Sequence, residues 1–128
     1  MYSPEQLDTI RRLNDAARQS PGVTSCANVT QGFLALPDAD CFKAVSAIVG
    51  FTKFDGDNDP YGEHDFGAVY RLASGEWSQE RPSDGTAISE TVFWKVDYYD
   101  NTLTYGSEAP WDAQQTTRVL TVMLASEY

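Results

Sequence analysis

The sequence predicts an α+β domain: an antiparallel sheet of about four to five strands with helices packed on one face. Three observations carry this. Apolar residues recur at helical spacing near the N-terminus and again after Asp38. The second half holds the most β-prone residues, above all Thr91 to Tyr99. The order of segments includes, in the second half, a run of successive strands that reads as an antiparallel meander.

Ser3-Pro4-Glu5-Gln6 reads as a helix start, with Ser3 as cap, Pro4 in the first turn and Gln6 closing a capping box. Leu7, Ile10, Leu13 and Ala17 then recur on one stripe, with Arg11, Arg12 and Asp15 turned outward, until Ser20-Pro21-Gly22 ends the pattern. Val23 to Val29 alternates weakly and predicts a strand. Asp38 is placed to cap a second helix that carries Phe42, Val45 and Ile48 or Val49 inward and ends near Gly50. Phe51 to Phe54 is a short strand-like piece leading into an acidic loop, Asp55 to Pro60. From His64 the alternation places His64, Phe66, Ala68, Tyr70 and Leu72 on one face of a strand, opposite Asp65, Gly67, Val69 and Arg71. Ala73 to Glu90 is a long polar excursion with Trp77 as its anchor. Thr91 to Tyr99 predicts a central strand, Asp100-Asn101 a tight turn, and Thr102 to Tyr105 a hairpin partner. Ala113 to Ala125 reads as a last, buried helix.

At 128 residues the chain suits one domain, residues 1–128, with a core of its own. It carries 19 acidic against 9 basic residues, a net charge of −10. A polyanion gains affinity from Lys and Arg by releasing counterions, so direct nucleic-acid binding is disfavoured. A basic groove that normally takes nucleic acid would instead attract such a chain, although acidity also serves plain solubility. No apolar run is long enough to span a bilayer and no secretion signal leads the chain, so a cytoplasmic location is expected and no membrane partner. Cys26 and Cys41 match no metal spacing and are expected to be buried, unbridged thiols.

The densest chemistry lies in the stretch from Asp55 to Asp65, which holds five carboxylates and the only histidine, His64, but no lysine or arginine. Asp55, Asp57 and Asp59 stand at alternate positions as in an EF-hand loop, yet Pro60 replaces the turn glycine and Phe66 the bidentate Glu, so an EF-hand is excluded. No cofactor is expected; a looser divalent-cation site is the alternative. His64, Glu63 and Asp65 are the candidates for acid–base chemistry, with Asp97 or Asp100 available to orient the ring, and none is assigned a catalytic role. Neighbours on a strand face opposite ways, so the carboxylate that orients His64 must come from elsewhere in the fold. A structural His64 that locks the loop fits the same residues, as do ordinary turn roles for Asn58, Asp59, Pro60 and Gly62.

Asn58-Asp59-Pro60-Tyr61-Gly62-Glu63-His64-Asp65-Phe66-Gly67, then Phe93 to Asp100 (FWKVDYYD), then Thr117 to Ala125 with Glu127-Tyr128, resemble a family of small bacterial proteins known only as a domain of unknown function. The resemblance spans nearly the whole chain and implies no reaction. It implies chromosomal and mobile-element passengers, often near anti-defence and plasmid-maintenance genes. Many members join the motif strand to the aromatic strand by a short turn, where this chain has Ala73 to Glu90.

Together these readings lead to a small acidic binding protein, an anti-CRISPR or anti-restriction inhibitor acting as a DNA mimic in a basic groove of a nucleic-acid-binding host complex. The candidate binding residues are Asp55, Asp57, Asn58, Asp59, Tyr61, Glu63, His64, Asp65, Asp97 and Asp100. Two alternatives stand beside it: a metal-assisted hydrolase centred on Glu63-His64-Asp65, and a regulatory or scaffold domain without catalysis.

Overall fold

The computed structural model describes residues 1–128. Helix α1 (Pro4–Gln19) begins as the sequence predicts, with Ser3 and Gln6 forming the reciprocal capping box. Strand β1 (Cys26–Val29), a single helical turn α2 (Gln31–Leu34) and helix α3 (Asp38–Val49) follow. Then come β2 (Phe66–Leu72), a two-residue β3 (Trp77–Ser78), the long β4 (Ile88–Tyr99) and β5 (Thr117–Leu124). The five strands form one sheet in the order β1-β5-β4-β2-β3. Every pairing is antiparallel except β1 with β5, so the sheet is mixed, mostly antiparallel.

Alternation along β4 sorts the two faces. Val92, Trp94 and Val96 face the helices and pack with Val69, Leu120, Val122, Phe33, Ala44, Ile48 and Phe51 into one core. Phe93, Lys95, Asp97 and Tyr99 lie on the other face, where Tyr128 packs edge to face on Phe66 and Phe93, which are tilted against each other.

Several expectations give way. The predicted last helix, Ala113 to Ala125, is strand β5 instead. From Val119 to Leu124 only Thr121 is polar, because β5 lies between β1 and β4 and is buried on both faces, and such a run does not distinguish a buried strand from a buried helix. Its β-branched Thr117, Val119, Thr121 and Val122 suit a pleated sheet. The predicted hairpin partner Thr102 to Tyr105 is a turn, since β5 already occupies that side of β4 down to the Tyr99 and Thr117 pair. There the Asp100 carboxylate accepts the N–H groups of Thr102 and Thr104, and only Tyr99 and Gly106 bridge. Phe51 to Phe54 forms no strand. Pro37, not Asp38, stands at the N-cap of α3, and Phe42 is 75% exposed rather than inward. Cys26 is exposed rather than buried, while Cys41 donates its thiol to the Phe33 carbonyl; both are free.

The face assigned to the motif strand is also reversed. Gly67 and Val69 face the core, while Phe66 and Ala68 lie on the opposite face with Phe93. His64 departs from the alternation because its φ is +56°, a left-handed conformation that turns its side chain toward the helices. Asp15, expected outward, turns to meet it.

Candidate functional site

Residues 51–65 wrap the end of β2, and most of their polar groups are committed to their own shape. The Asp55 carboxylate accepts the N–H groups of Asp57 (2.9 Å) and Asn58 (3.1 Å). Asn58 answers from the other side, accepting the Asp55 N–H at 3.0 Å and donating to the Lys53 carbonyl at 2.8 Å. Asp59 is buried and its Oδ1 accepts the His64 N–H at 3.1 Å. Gly62, at φ +70°, makes the reversal that lets this bond close.

Helix α1 holds the loop through two polar knots. In the first, the His64 ring stacks face to face on Phe54 and its Nδ1 lies 3.0 Å from Asp15 Oδ1. The same Asp15 oxygen accepts from Arg18 Nη1 at 3.0 Å. Arg18 is 2% exposed and its guanidinium stands 5.4 Å from the ring centres of both Phe54 and Trp94, so two aromatic faces and one carboxylate hold a buried cation. His64 Nε2 lies 3.9 Å from Asp59 Oδ2. Asp15, Arg18, Phe51, Thr52, Phe54 and His64 line a cleft of about 340 Å³.

In the second knot, Asn14 is fully buried and serves three groups. Its Nδ2 donates to the Glu63 carbonyl (2.8 Å) and to Tyr98 Oη (2.7 Å), and its Oδ1 accepts from Arg118 Nε at 2.7 Å. Tyr98 donates to the Glu63 carboxylate at 2.7 Å, and Arg118 also donates to the Pro110 carbonyl. Burial and the Glu63 carboxylate raise the Tyr98 pKa above the usual phenol range, so Tyr98 stays a donor. Burial lowers that of Arg118. Asp65, half-buried beside Glu63, is pushed up to about 6, first by burial and then by the Glu63 charge.

The expected residues therefore divide. Asp55, Asn58, Asp59, Glu63 and His64 build the loop from within, whereas Asp57 and Tyr61 remain at its surface, Tyr61 at 80% exposure. Asp97 pairs with Lys95 (2.8 Å) on the opposite face, and Asp100 organises the turn after β4, so neither orients His64. Glu63 and Asp65 act on each other's charge, but Glu63 is turned to Tyr98 and away from the His64 ring. No group of three or more His, Cys, Asp or Glu side chains is arranged to hold a metal ion. No helix is long and apolar enough to cross a membrane.

The residues that sequence reasoning missed are Asn14, Asp15, Arg18, Tyr98 and Arg118. One signal was present: Ile10, Asn14, Ala17 and Arg18 share a helical stripe, and a polar residue on an apolar stripe asks for a buried partner. The excursion 73–90 is pinned as expected by Trp77, whose Nε1 donates to Asp40 at 3.0 Å beside the Arg71–Asp40 ion pair. After Ser78 the chain leaves β2, and Gln79 binds the backbone of Gly50 and Thr52. A second cleft, about 610 Å³, opens there between Lys53, Asp55, Asp57, Ala68, Tyr70 and Arg81.

Compared with known proteins, residues 29–127 match the family described as a protein of unknown function, DUF3768. The chain belongs to the DUF3768 family. No curated protein and no solved structure matches it. The family span opens at Val29, so Asn14, Asp15 and Arg18 of α1 reach into the DUF3768 region from outside it, and both knots join the two parts.

Proposed function

We propose that this DUF3768 chain is a small acidic binding protein of the cytoplasm, which presents the loop 55–65 to a basic, nucleic-acid-binding groove of another protein. One observation carries the reading. The polar side chains beneath the loop bond one another and α1, which fixes its shape, while the Asp57 carboxylate makes no bond within the chain and the Tyr61 ring is 80% exposed. A pre-shaped loop with a free carboxylate and an exposed aromatic suits recognition, because little conformational entropy is lost on binding. The net charge of −10 favours a basic partner and speeds encounter with it. An anti-CRISPR or anti-restriction complex is the finer form of the proposal.

The test is capture from host lysate by wild type and by an Asp57→Ala, Tyr61→Ala double variant, neither of which disturbs the internal bonds. A nucleic-acid-binding complex held by wild type, lost in the variant and weakened by salt is the expected result. Equal capture by both proteins would remove the loop from the interface.

A second reading, acid–base chemistry at His64, draws on the 3.0 Å Asp15 contact at the edge of the smaller cleft. Under it, His64→Gln abolishes a measurable hydrolase activity while leaving the fold intact.

A further inference from the structure

Strand β1 forms the sheet edge opposite the acidic loop, and all four of its residues are exposed. The Thr30 N–H donates to the Val122 carbonyl, and the parallel register pairs Asn28 with Thr121. This alternation turns the backbone groups of Cys26, Asn28 and Thr30 toward β5 and those of Ala27 and Val29 outward, where no strand meets them. Natural edge strands are usually blunted by a charge, a proline or a bulge. Apart from its length of four residues, β1 has none of these: from Gln19 to Pro37 the chain carries no Asp, Glu, Lys, Arg or His. In a chain with 28 Asp, Glu, Lys and Arg residues (19 + 9) this is the one long neutral stretch. Val23 before the strand is 84% exposed, Val29 within it 42%, and Leu34 after it 59%. The Glu127 carboxylate beside the end of the strand is held by Thr30, Gly32 and the Leu124 N–H, and Asp97, which shares a cleft with Asn28, is paired with Lys95.

We propose that this edge pairs with the same edge of a second copy, antiparallel and about a two-fold axis through Asn28, joining two five-stranded sheets into one. The occupant follows from charge and symmetry. A neutral strand offers nothing to a basic partner, whereas an antiparallel edge is self-complementary, as a two-fold interface requires. It is also where two chains of charge −10 meet without opposing carboxylates. Outward parity fixes the register: Ala27 exchanges both backbone bonds with Val29 of the second copy, and the reverse, while the two Asn28 residues face each other as a non-hydrogen-bonded pair. The acidic loops then lie at the two far ends of the joined sheet.

Sedimentation of the full chain at about 100 µM, in low salt and in about 0.5 M sodium chloride, tests this. The expected mass is twice 14.2 kDa, with association tightening as salt screens the like charges. That salt response is opposite in sign to the one expected for capture of a basic partner, so the two proposals fail separately. Ala27→Pro removes an outward N–H without touching a bond to β5, and should leave a monomer with unchanged secondary structure. A Cys26→Ser, Asn28→Cys double variant should form a covalent dimer on mild oxidation. Its two thiols fall on a pair with Cα atoms about 4.5 Å apart, within disulfide reach. A monomer at both salt concentrations, a dimer undiminished by Ala27→Pro, or no covalent dimer from the double variant would each overturn the proposal. If Ala27→Pro does not fold, the cross-link decides.

Discussion

The two edges of the sheet are built on opposite principles. At the β2 edge, the Val96 N–H bond to the Asp65 carbonyl sets an alternation that turns Phe66 and Ala68 outward, and β3 covers only Tyr70 and Arg71. That open stretch is fenced by charges, Asp55, Asp57 and Arg81 around the larger cleft and the Lys53–Glu80 ion pair. Beneath it two buried polar knots tie the loop to α1. At the β1 edge the backbone is equally open, yet there is neither fence nor knot. Charge on an edge prevents unwanted strand pairing, so the fenced edge is shaped for recognition by side chains and the bare one for recognition by backbone.

Breaking a knot should have the largest effect. Asn14→Leu leaves the Arg118 guanidinium, the Tyr98 hydroxyl and the Glu63 carbonyl without a shared partner in a buried site. The expected loss, read by urea unfolding, is about 3 kcal/mol, because a stranded buried charge costs more than the bond it made. Arg12→Ala on the same helix, where the Asp8 pair is exposed, should change stability by less than about 0.5 kcal/mol. Equal effects at the two positions would mean that the knot does not anchor the loop.

Packing under the fenced edge comes next. A Cβ on Gly67 would stand 2.6 Å from Trp94 Nε1 and 2.8 Å from Phe51 Cζ, both buried aromatic atoms with little room to move. Gly67→Ala should therefore cost about 2 kcal/mol and shift the near-ultraviolet dichroism of Trp94. Gly75→Ala is a useful contrast. There nothing lies within 4 Å, and the cost comes only from a positive φ of 89°.

Much of the fold was legible where one physical signal dominated. The Ser3 capping box, the β-prone run of β4 and the Trp77 anchor each speak through local chemistry, and each stands in the structure. Membership in a domain-of-unknown-function family was expected as well, and the match of residues 29–127 to DUF3768 agrees with it. The rest depended on neighbours that a sequence does not display. Strand β5 hid because burial on both faces erases the alternation that marks a strand. The hairpin after Asp100 failed because a distant segment had taken its place beside β4. Around His64, one residue with positive φ reversed the parity, and with it the face of every following side chain. The motif marked the loop by its composition, but the Asp15 and Arg18 partners stand some fifty residues earlier in sequence, joined to it only by folding.

The smallest effect tests whether the fenced edge bears an electrostatic strain that the bare edge lacks. Asp65 is half-buried beside Glu63, with Asp59 and Asp97 near enough to add repulsion, and its pKa rises from 3.8 to about 6. Below 3.8 the carboxyl is protonated folded and unfolded alike, and the strain is absent. Between 3.8 and about 6 the unfolded chain releases this proton while the folded chain retains it, so stability falls as pH rises, and above about 6 the full penalty applies. Asp65→Asn should then raise stability near pH 7.5 by about 1 kcal/mol, the two-unit shift being reduced by solvent screening at a half-exposed site. The gain should be largely gone by about pH 4, where the folded carboxyl is protonated, and should vanish below 3.8, where the unfolded one is protonated too. Melting temperatures of the two proteins across that window check it. A gain that persists unchanged at pH 4 would assign the effect to packing, and no gain at pH 7.5 would mean that the carboxylate is well solvated. In that case the charge at the fenced edge guards it without strain.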